Sequence, residues 1–150
     1  MNENGNQLGN GNSLSDLRRY CFFLIEFISS LATDPHLYFQ HKLIADISRA
    51  ENWSGLMAIL DYLIEWIDSA DLPHMQMIRL DEKLVAQELP SYGLMSNPAN
   101  RELGRILLTG QVATEMEYAL IRDSILKTPE IAIGDRILAQ RLVAAYEAGK

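Results

Sequence analysis

The sequence predicts an all-α fold, a single-domain bundle of about five main helices. Two observations carry this. Apolar residues recur at helical spacing through 13–32, 35–50, 53–69, 98–126 and 128–148. Between these runs stand helix start and stop signals, and no run alternates in the manner of a half-buried strand. Several of the apolar faces are wider than one buried stripe, which leaves apolar surface for a partner.

Residues 1–12, MNENGNQLGNGN, hold five Asn and three Gly and have little to bury. They are expected to be a disordered tail ahead of a helical domain at 13–150. Helix one starts near Ser13 or Ser15, whose hydroxyls can cap backbone N–H groups. Leu14, Leu17, Cys21, Leu24, Ile25, Ile28 and Leu31 share its inner face, while Phe23 falls on the opposite side. Asp34-Pro35 marks the start of helix two, where Leu37, Leu43, Ile44 and Ile47 fall together. Helix three begins after Asn52 or Ser54. Trp53, Leu56, Leu60, Leu63 and Ile67 form its packing seam, and Ile59, Tyr62 and Trp66 form a second apolar line.

Residues 70–97 interrupt the pattern with Pro73, Pro90 and Gly93. They read as a long central connection with room for a short helix at Leu80–Leu89 and an extended stretch at 74–78. This is a join within one domain. Asn97-Pro98 then starts a long fourth helix to Leu126. Gly110 falls within its main face, where it would permit close helix approach. Glu117 falls on the same face and calls for an Arg or Lys partner within the chain, or a polar interface. Leu108, Val112 and Met116 make a second apolar side. A fifth helix begins at Thr128-Pro129, with a restart at Gly134-Asp135, and packs through Leu138, Leu142 and Ala145.

Composition narrows function. The 150 residues carry a net charge of −7, so clustered phosphate contacts are disfavoured and nucleic acid is not an expected partner. Residues 1–75 hold ten acids against Arg18, Arg19, Lys42 and Arg49, whereas 76–150 hold ten acids against nine bases. An acidic half can steer a basic partner. Cys21 is the one cysteine, so no internal disulfide can form; it reads as a small buried hydrophobe. Membrane insertion is not expected, since the apolar run at 20–31 falls short of the roughly 20 residues of a spanning helix. A cytoplasmic location follows from these features.

Signals for chemistry are absent from the sequence. The histidines are His36, His41 and His74. The first two are turned about 140° apart on a helix, poor spacing for a shared metal. Asp61, Glu65 and Asp68 line up as a solvated helix edge. No nucleophile has an identifiable base, and no phosphate-cradling glycine motif occurs. No catalytic, metal or cofactor role is therefore expected.

The reading that remains is a non-catalytic protein-binding module, an adaptor, chaperone or regulatory subunit. It would act by self-association or with another protein, through Phe23, Tyr62 and Trp66. The polar tail, small size and acidity resemble the chaperones and gatekeepers of bacterial type III secretion in character, without a shared motif. The alternative is an acidic immunity or antitoxin-like inhibitor of a basic protein.

Overall fold

A computed structural model describes residues 2–31, 37–128 and 131–149, with side chains described from 14 to 31 and from 41 onward within those ranges. Its regular elements are all helical among the described residues. The chain divides into two units, Met1–Met77 and Ile78–Lys150. The division falls inside the central segment that interrupts the sequence pattern.

Three helices build the first unit: α1 (Asn2–Leu31), α2 (Leu37–Arg49) and α3 (Trp53–Ser69). α1 packs against both of the others. Its backbone is helical from Asn2, ahead of the start predicted at Ser13. Asn and Gly are weak helix formers, so the sequence holds no local signal for those first turns. Further along, Leu17, Cys21, Leu24, Ile25 and Ile28 are buried, as the periodicity predicts. Tyr20 and Phe27 join them, which widens the buried arc. The predicted start of α2 at Asp34-Pro35, and His36 with it, lie outside the described residues. α2 buries Leu43 and Ile47 and leaves Ile44 exposed.

The end of α2 is closed from α1. The Arg18 guanidinium donates from Nε to the Ile47 carbonyl at 3.2 Å and from Nη2 to the Ala50 carbonyl at 2.6 Å. The last carbonyls of a helix lack intrahelical partners, and a cation suits that end of the helix dipole. Asn52 then caps α3, its Oδ1 accepting from the Gly55 N–H at 2.7 Å. Leu56, Leu60, Leu63 and Ile67 are buried along α3, as the 3- and 4-residue steps predict; Ile64 joins them, and Trp53 is half-buried. Ala70 closes the helix, and Asp71 turns the chain with φ 49°.

Most pieces of the second unit are shorter. α4 spans His74–Ala86, with its first turn before the Met77/Ile78 division, so 74–78 is helical and not extended. Pro73 starts it, its carbonyl accepting from the Gln76 N–H at 2.9 Å. The short α5 (Tyr92–Ser96) is capped by Ser91, whose Oγ accepts from the Leu94 N–H at 3.1 Å. A single 3₁₀ turn at Pro98–Asn100 leads into α6 (Arg101–Thr109).

The long fourth helix predicted at 98–126 is broken. Gly110 adopts φ 72°, a left-handed helix stop where a side chain would be strained, so it ends α6 and provides no close approach between helices. Four residues later Thr114 starts α7 (Glu115–Leu120), its Oγ1 accepting from the Glu117 N–H at 3.1 Å. Leu108 is therefore buried, Val112 half-buried and Met116 exposed, and they do not form one helical side.

After α7 the helix widens into a π turn at Ile121–Ile125, then stops. Arg136 donates to the carbonyls of Leu126 at 2.8 Å and Thr128 at 2.5 Å and closes that end. The last helix, α8, runs Ile133–Ala148; the Pro129-Glu130 start lies outside the described residues. α8 buries Asp135 and Ala139, leaves Leu142 half-buried and exposes Ala145, so its inner face is rotated from the predicted one. Leu94, Leu103, Ile106, Leu107, Ile121, Ile125 and Ala139 form the core of this unit.

Candidate partner-binding groove

An apolar groove of about 320 Å³ runs between α2 and α3 in the first unit. Lys42, Leu43 and Asp46 line it from α2; Ala58, Ile59 and Tyr62 line it from α3. On a helix, positions three and four apart stand one above the other, so these trios form two facing walls. Leu43 is buried and Ile59 half-buried, which makes them the floor. Tyr62 stands at the rim with 48% of its surface exposed. Lys42 and Asp46 hold each other across one turn at 3.1 Å, with the lysine side chain 66% exposed. Such a pair contributes little to stability.

Tyr62, predicted as a binding residue, thus lies on the groove. Trp66 is half-buried one turn further along α3, in the same row. Phe23 is half-buried on α1 and does not line the groove. Asp61, Glu65 and Asp68 are exposed along α3. The groove's α2 wall carries no sequence signal, because Lys42 and Asp46 stand on the polar side of helix two.

Cys21 is fully buried, and burial pushes its thiol up to about 12, so it is a packed thiol without nucleophilic character at neutral pH.

The second unit holds a polar cluster that sequence reasoning did not single out. Asp135, in the first turn of α8, is buried, and both its oxygens are occupied. Oδ1 accepts from the Ser91 N–H at 2.8 Å and Oδ2 from the Ser91 hydroxyl at 2.6 Å. Nearby, Asp81 on α4 accepts from the Tyr92 N–H at 2.8 Å. A cleft of about 240 Å³ opens beside them, lined also by Asn100, Ile131 and Ala132. Burial raises both carboxyls above the ordinary aspartate range, and the Asp81 charge raises Asp135 further. These hydrogen bonds serve the backbone: they pin the entry of α5 to α4 and α8. The sequence signal would have been a carboxylate in an otherwise apolar helical face, the criterion that did single out Glu117.

Glu117 has the cation it called for. Arg105 Nη2 donates to its Oε2 at 2.8 Å, and the Ala113 N–H donates to its Oε1 at 2.8 Å. Arg105 also grips Glu102 at 2.6 Å, which holds the Glu102 carboxyl below its usual range. Thr114-x-x-Glu117 is a near-capping box that ties α6 to α7.

Among the described residues, no group of three or more His, Cys, Asp or Glu side chains is placed to hold a metal. No described helix is long and apolar enough to cross a membrane. His41 and His74 are exposed in separate helices. No protein-family model, curated protein or solved structure matches the chain. The class is an all-α protein.

Proposed function

We propose that the chain is a non-catalytic protein-binding module, an adaptor, chaperone or regulatory subunit, that engages its partner at the α2/α3 groove. One observation carries this reading: Tyr62 stands about half exposed over a floor of Leu43 and Ile59. Aromatic side chains above apolar pockets are the anchors of many interfaces, since they add contact area at small entropic cost. The polar clusters of the second unit support the reading indirectly, because their oxygens are engaged by the fold's own N–H and O–H groups.

Light scattering on the purified chain, alone and after co-expression with products of neighbouring genes, tests this. The expected result is an oligomer or a stoichiometric complex that Tyr62→Asp dissolves without altering the circular dichroism spectrum. A monomer that retains no product, or a complex indifferent to Tyr62→Asp, would overturn it. A link to secretion rests on the polar tail, small size and acidity, and unchanged export after deletion of residues 1–12 would remove the tail as support.

A further inference from the structure

We draw no further inference here: the strongest candidate, the cleft of about 240 Å³ beside Asp81 and Asp135 in the second unit, carries nothing, because it is an acidic pair whose carboxylates already accept from Ser91 and Tyr92 and nothing else among the described residues points to a ligand there.

Discussion

The two units of the chain solve the same problem differently. The first uses long helices closed on an apolar seam, with Leu17, Leu24, Leu60 and Leu63 fully buried. Its long-range polar contacts include the Arg18 clamp on the end of α2. The second unit breaks its helices after a few turns and holds the pieces with side chains that reach backbone groups: Ser91, Thr114, Asp135 and Arg136. Each short helix leaves as many unpaired backbone groups at its ends as a long one, so short helices need more capping per residue. The first unit should therefore respond most to lost apolar volume, and the second to lost hydrogen-bond partners.

The largest expected effect lies in the first unit. Leu60→Ala removes a fully buried side chain from the seam and should cost about 2–5 kcal/mol, read by urea denaturation. A cost below about 1 kcal/mol would mean that α3 is not packed as described.

Next comes the polar lock. Asp135→Ala strands the Ser91 N–H and hydroxyl and should cost about 2–4 kcal/mol. Asp135→Asn should cost less, because its amide can accept from the N–H and donate to the Ser91 oxygen. Faster amide exchange at residues 91–96 in the Ala variant would locate the damage.

The same lock has a pH signature. Asp135 and Asp81 are raised above the ordinary aspartate value of about 3.9, so the folded state holds protons that the unfolded state has released. Their contribution to stability is present below that value and is lost as pH rises through the raised folded values. Thermal unfolding followed across mildly acidic pH should show this slope, and Asp135→Asn should flatten it. An unchanged slope in that variant would assign the dependence elsewhere.

Smaller again is Gly110→Ala. An added Cβ meets nothing within 4 Å, so the cost is that of a left-handed alanine, about 1–2 kcal/mol. A neutral outcome in thermal unfolding would mean that α6 and α7 can join into the single helix that periodicity alone suggests.

That contrast also explains what could be read from the sequence. The seams of α1 and α3 were legible because their apolar periods persist over several turns, and Asn52 gave a start signal. Burial of Cys21 and a cation for Glu117 followed from chemistry alone. In the second unit the apolar spacing at 103–125 continues across Gly110, although the backbone does not. The deciding signals there were Gly110 four residues before Thr114, and Thr114-x-x-Glu117 itself. The α4 start at Pro73 was obscured because Met75, Gln76 and Met77 favour no capping pattern. Of the predicted binding residues, only Tyr62 reaches the groove, since the opposing wall depends on how α2 and α3 meet.

The central claim is that this groove docks a protein, and photocrosslinking tests it most directly. A benzophenone side chain placed at Tyr62 in the native cell should capture one discrete partner, and Ile59→Glu should suppress that adduct. The same probe at Gln140, exposed on α8, should not capture it. Adducts at Tyr62 no stronger than those at Gln140 would contradict the account.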